Sequence, residues 1–97
     1  LMKILFLGDV VGISGCSKIV NNLGSEIKKK KIDFVVVNGE NSAEPGVGLT
    51  EETCKDFFNC GVNVITSGNH VWDQKEIMKY IDNENRLLRP YNLFLSL

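Results

Sequence analysis

Three short apolar runs, Lys3 to Leu7, Asp33 to Val37 and Val62 to Thr66, constrain this chain more than any other feature. Each is rich in β-branched or bulky residues and nearly continuous in hydrophobicity, without in/out alternation. That is the pattern of strands in a parallel sheet covered on both faces. Apolar residues recur at helical spacing in the segments between and after them: Ile19, Val20, Leu23 and Ile27, then Cys54, Phe57 and Phe58, then Ile77, Met78 and Ile81. The helix ends are marked too. Thr50 is placed to N-cap the second helix with Glu51 and Glu52 in its first turn, and Gly61 follows its last turn. Asp73 with Glu76 three residues on makes an Asp version of the capping box at the start of the third helix. The predicted order is βαβαβα, which with right-handed crossovers gives one continuous parallel α/β layer.

Ninety-seven residues allow one domain, here residues 1–97. Eleven basic against twelve acidic side chains leave a net charge of -1, too little for a global field that recruits nucleic acid or an anionic membrane. Any phosphate binding must therefore be local. The Lys28-Lys29-Lys30-Lys31 run falls at the end of the first predicted helix, where it complements the helix dipole, so it is assigned no nucleic-acid site. Cys16, Cys54 and Cys60 are odd in number and form no CxxC pair, which predicts buried, reduced thiols and a cytoplasmic protein. Met2-Lys3 followed by Ile4 to Leu7 imitates a lipoprotein signal ahead of Cys16, but the apolar run is shorter than the about 7–15 residues such a signal needs. No segment approaches the roughly 18 apolar residues of a membrane span.

In a parallel sheet the residues after every strand emerge along one edge, and that edge is where sites form. Here it would carry Gly8-Asp9-Val10-Val11-Gly12, Asn38-Gly39-Glu40-Asn41-Ser42 and Ser67-Gly68-Asn69-His70-Val71-Trp72-Asp73. All three segments hold oxygen or nitrogen ligands. Each has a glycine before its first polar candidate, which is expected to let the backbone turn sharply and aim the next side chain. Taken singly, each candidate has a structural reading. Asp9 can cap the first helix or form an Asx turn, Asn69 can cap a turn, His70 can be a hydrogen-bonded histidine, Asp73 a cap and Trp72 core or a pocket wall. Asn38-Gly39 is a hairpin signal, but Glu40 to Gly48 contains no return strand. Taken together, polar candidates at three successive strand ends are explained by one metal site. Carboxylates and amide oxygens favour hard ions such as Mn, Mg or Fe. A glutamate between an aspartate and an asparagine can bridge two ions, which about 3.5–4 Å apart activate water for in-line displacement at phosphorus.

This ordered set resembles the signature of the calcineurin-type metallophosphoesterases, and within them the YmdB-type branch, described as bacterial phosphodiesterases acting on 2′,3′-cyclic nucleotides. The resemblance rests on Gly8-Asp9-Val10-Val11-Gly12, Asn38-Gly39-Glu40-Asn41 and Gly68-Asn69-His70-Val71-Trp72-Asp73, and extends through Ile81 to Pro90, with Asn85 where proline is usual. It implies the N-terminal part of a metallophosphoesterase sandwich and two divalent ions, Fe or Mn. It makes Asp9 and Asn41 ligands of one ion, Glu40 the bridge, Asn69 a ligand of the other, and His70 the proton donor to the leaving alkoxide. No histidine stands two residues after Asp9, a mark of this branch.

The family's remaining ligands are histidines of its second half, whereas this chain has one histidine, His70, and its tail from Tyr91 to Leu97 drifts from the family pattern. The resemblance therefore implies an incomplete site, weak or inactive alone. A sheet cut from a larger one exposes apolar surface, so a homo-oligomer is expected. Two other readings compete. One is a non-catalytic self-associating remnant. The other is a Rossmann-like nucleotide-binding module on the loose glycines Gly8, Gly12 and Gly15, disfavoured because the spacing is not GxGxxG and Asp9 would repel a pyrophosphate.

Overall fold

The computed structural model describes residues 1–43, 48–68 and 76–89. Along the chain run β1 (Ile4–Leu7), α1 (Gly12–Lys30), β2 (Phe34–Asn38), α2 (Glu51–Cys60), β3 (Val64–Thr66), α3 (Ile77–Asn83) and β4 (Leu87–Leu88). The four strands form one sheet in the order β1-β2-β3-β4, and every pair is parallel. The expected strand–helix alternation is therefore present, with a fourth strand added. β4 is two residues long, too short to show periodicity, and it exists through its partners. Ile65 N–H donates to the Arg86 carbonyl at 2.8 Å, and the Ser67 hydroxyl donates to the Leu88 carbonyl.

Because each strand lies beside its predecessor and the sheet always grows in the same direction, right-handed crossovers carry every helix over the same face. Burial alternates accordingly. Leu5 and Leu7 of β1 pack toward Val35, Val37, Ile65 and Leu87 under Leu23, Phe57, Ile77 and Ile81 of the helices. Ile4 and Phe6 point the other way and remain 62% and 61% exposed, with Leu88 at the far edge 47% exposed. Among the described residues the sheet is thus covered on one face, whereas the continuous apolar runs predict cover on both. Those runs report that both faces are apolar, while the strand order decides which one the helices reach.

The locally encoded ends agree with the sequence. Thr50 Oγ1 accepts from Thr53 N–H at 3.2 Å, an N-cap worth about 1 kcal/mol, and Glu51 and Glu52 follow it. Gly61 closes α2 at φ 121°, and a Cβ there would also strike Ile27 Cδ1 at 2.6 Å. Lys28, Lys29 and Lys30 occupy the last turn of α1. Cys54 is fully buried, and burial, reinforced by Glu84 and Glu51, pushes its thiol up to about 12. Burial also raises the half-buried Cys16 and Cys60, so none of the three is an activated nucleophile. The predicted Asp73–Glu76 capping box involves Asp73, which lies outside the described residues. In the structure Glu76 occupies the N-cap of α3 and makes no side-chain capping bond.

Candidate functional site

The C-terminal ends of β1, β2 and β3 lie side by side, and backbone hydrogen bonds join the segments that follow them. Val10 N–H donates to the Asn38 carbonyl at 3.2 Å and Gly12 N–H to the Asn41 carbonyl at 3.0 Å, with a parallel bridge between Val11 and Asn41. Gly39 N–H donates to the Thr66 carbonyl at 2.9 Å, which ties the second segment to the third strand. The second segment is also held from within. Glu40 N–H donates to Asn38 Oδ1 at 3.1 Å, and both the hydroxyl and the N–H of Ser42 donate to the Gly39 carbonyl, at 2.7 and 3.1 Å. The Cys16 thiol donates to the Ser42 carbonyl at 3.1 Å.

This framework sends neighbouring side chains in opposite directions. Asn41 turns back toward the first segment, where its Nδ2 lies 3.4 Å from Asp9 Oδ1, a long and exposed contact. Glu40 turns toward the third segment, and its carboxylate lies against Gly68, where any Cβ would overlap it. Asp9, Glu40 and Asn41 therefore stand along one edge, with Glu40 reaching across. Asn69 and His70 lie outside the described residues. Among the described residues no three His, Cys, Asp or Glu side chains converge.

The donor chemistry nevertheless fits a hard divalent ion. Two carboxylates and an amide supply oxygens only, and a half-turn of the Asn41 amide presents its Oδ1 beside Asp9. The close approach of Glu40 to Gly68 leaves room at the mouth of β3 for a carboxylate and for nothing built on residue 68.

The glycines act differently from the sequence expectation. Gly8, Gly39 and Gly68 all lack left-handed φ, which among the described glycines occurs at Gly12, Gly48 and Gly61 instead. Gly68 provides space for a neighbour, the Glu40 carboxylate. Sequence reasoning also missed Asn38 and Ser42 as supports. An asparagine two residues before a candidate ligand is an Asx-turn signal that could have found the first.

A cleft of about 660 Å³ lies elsewhere, between α1 and the start of α2, with Ile13, Cys16 and Val20 opposite Thr50, Glu51 and Asp56. It contains none of Asp9, Glu40 and Asn41. The acids of α2's first turn already complement that helix's dipole.

A parallel α/β layer with its helices on one face is the opening part of a calcineurin-like metallophosphoesterase fold. A crystal structure of a phosphatase from Mycoplasma pneumoniae superposes with a TM-score of 0.88 at 42% identity, over 99% of this chain and 34% of that one. A protein from Thermus thermophilus gives 0.86 at 32% identity, over 99% of this chain and 36% of its own. The profile of the YmdB-like protein family matches residues 5–96, and the chain belongs to that family. The 2′,3′-cyclic-nucleotide 2′-phosphodiesterase of Bacillus subtilis is 44% identical over 91 residues, 94% of this chain and 34% of the relative. The chain thus spans about a third of the length of the relatives it matches.

Proposed function

We propose that this chain supplies the first ligands of a dinuclear metal site that hydrolyses phosphodiesters, with 2′,3′-cyclic nucleotides as the substrate class. The observation that carries the reading is the single edge on which Asn41 contacts Asp9 while Glu40 spans to Gly68. Asp9 and Asn41 would hold one divalent ion, Fe or Mn, with Glu40 shared and Asn69 serving the second. When bound, such a pair supplies an activated water and neutralises charge on the phosphoryl oxygens. The protein's own tasks are to fix Glu40 between the strand ends and to hold on His70 the proton that the leaving alkoxide takes up.

Four protein ligands, one of them shared, leave two ions that each want about five or six donors short of coordination. The 97 residues alone are therefore expected to turn over bis(p-nitrophenyl) phosphate and 2′,3′-cyclic AMP weakly or not at all after Mn or Fe loading. The functional reading itself is tested by a chimera in which this chain replaces the matched third of the Bacillus subtilis relative. Metal-dependent hydrolysis of a 2′,3′-cyclic nucleotide is expected. A folded, metal-loaded chimera without it would sink the reading.

The exposed Ile4 and Phe6 favour a second property, self-association through the bare sheet face. Light scattering is expected to show a homo-oligomer that dissociates in an Ile4→Lys, Phe6→Lys double variant, and a monodisperse wild-type monomer would count against it. A cytoplasmic setting suits the three unpaired thiols. None of the helices described is long and apolar enough to cross a membrane.

A further inference from the structure

We infer that Asn38 and Gly68 are positioning residues of Glu40, the first fixing its backbone and the second leaving the room its carboxylate takes. The inference rests on the metal-site reading above and goes beyond it by assigning work to two residues that are not ligands. Glu40 lies within the turn that follows β2, between Gly39 and Ser42, and a glutamate has three side-chain torsions with which to wander. A hydrogen bond to its backbone opposes that freedom, and Gly68 leaves room for the carboxylate where it lies. Asn38 Oδ1 accepts the Glu40 N–H at 3.1 Å, an Asx turn that sets the direction in which the Glu40 Cα–Cβ bond leaves the chain.

Asn38 is itself anchored on both sides. Its carbonyl accepts from Val10 N–H at 3.2 Å, and its Cα pairs with Thr66 in the β2–β3 register. The Asx turn is therefore referenced to β1 and β3 together. At the far end of the side chain, the carboxylate occupies the volume that a Cβ on residue 68 would need. Gly68 has no left-handed φ, so the backbone there would accept alanine and the constraint is one of space alone.

The two substitutions should leave different signatures, because the atoms that meet a Cβ at residue 68 belong to the movable end of Glu40. Gly68→Ala is expected to displace the carboxylate while the melting temperature stays level or rises slightly, since alanine at a compatible φ narrows the unfolded ensemble. Asn38→Ala should lower the melting temperature and release the Glu40 amide. Asn38→Asp, which keeps the acceptor, should restore it. A purely structural role would move stability and leave metal affinity where it was.

The test uses the 97-residue chain, with NMR on the metal-free protein and Mn(II) titration followed by electron paramagnetic resonance. Wild type is expected to show a through-space contact between the Glu40 Hγ and Gly68 Hα protons, and Gly68→Ala to lose the approach. Hydrogen exchange at the Glu40 amide should accelerate at least about tenfold in Asn38→Ala and return in Asn38→Asp. Mn(II) affinity should fall roughly ten- to hundredfold in Gly68→Ala and Asn38→Ala, as for loss of an outer support. Absence of the Glu40–Gly68 contact in wild type, or wild-type Mn(II) affinity in Gly68→Ala, overturns the proposal. A wild-type chain that shows the contact yet takes up no Mn(II) counts against the metal-site reading instead. The Glu40 amide exchange in the Asn38 variants then still decides the positioning.

Discussion

Glu40→Ala is expected to abolish divalent-ion binding by this chain while leaving it folded. Glu40 is the one described candidate that extends from the second segment to the third, with its carboxylate against Gly68. Removing an outer support of a metal ligand costs about 10- to 100-fold in affinity, so deleting a carboxylate shared by two ions should exceed the upper end of that range. Asp9 and Asn41 would remain for one ion and Asn69 for the other, too few on either to hold a hard ion against water. Folding should be spared because Glu40 contributes nothing to the apolar core. In a Mn(II) titration the variant's signal should overlay that of buffer, while its far-ultraviolet dichroism matches wild type. Retention of wild-type affinity would remove Glu40 from the site.

Phe57→Ala should produce the largest loss of stability. Phe57 is fully buried on the sheet-facing side of α2 among Leu23, Ile65 and Ile77 of the core cluster. Truncating a buried phenylalanine costs about 3–5 kcal/mol through lost transfer energy and the cavity left behind. A whole domain commonly holds only about 5–15 kcal/mol, and a short chain with a sheet covered on one face has little surplus. Urea unfolding followed by dichroism should show the midpoint collapse toward zero denaturant. Protein concentration must be held constant, because association through the bare face would couple stability to concentration. Its neighbour provides the control. Phe58 is half-buried beneath the Arg86 guanidinium, 3.9 Å from the ring centroid, and Phe58→Ala should cost clearly less. A loss below about 1 kcal/mol at Phe57 would mean that the core does not close around it.

The features that were legible before the structure depend on neighbours in the chain. Thr50 caps α2 because its hydroxyl needs only the N–H three residues on, and Gly61 is legible as the helix end because its positive φ is a local property. Leu23, Phe57, Ile77 and Ile81 were recognisable as core because helical periodicity places them on one stripe. Asp9, Glu40 and Asn41 were recognisable as a set because parallel strands deliver their C-terminal ends to a common edge. Two features escaped. β4 has no pattern of its own, and Leu87 and Leu88 become a strand by pairing with Ile65 and Thr66. Gly8, Gly39 and Gly68 have no left-handed φ, and Gly68 makes way for a side chain from another segment.

The amino-acid sequence by itself therefore determined the alternation of strands and helices, their caps, the apolar stripe of each helix, and which residues could offer oxygen to an ion. The tertiary structure decided that the three described helices lie on one face, leaving Ile4 and Phe6 exposed, and that Asn41 faces Asp9 while Glu40 faces Gly68. The physical reason is range. Hydrogen-bonded caps and periodicity act within a few residues, whereas the Asn41–Asp9 contact joins positions 32 apart and exists only once β1 and β2 pair in register.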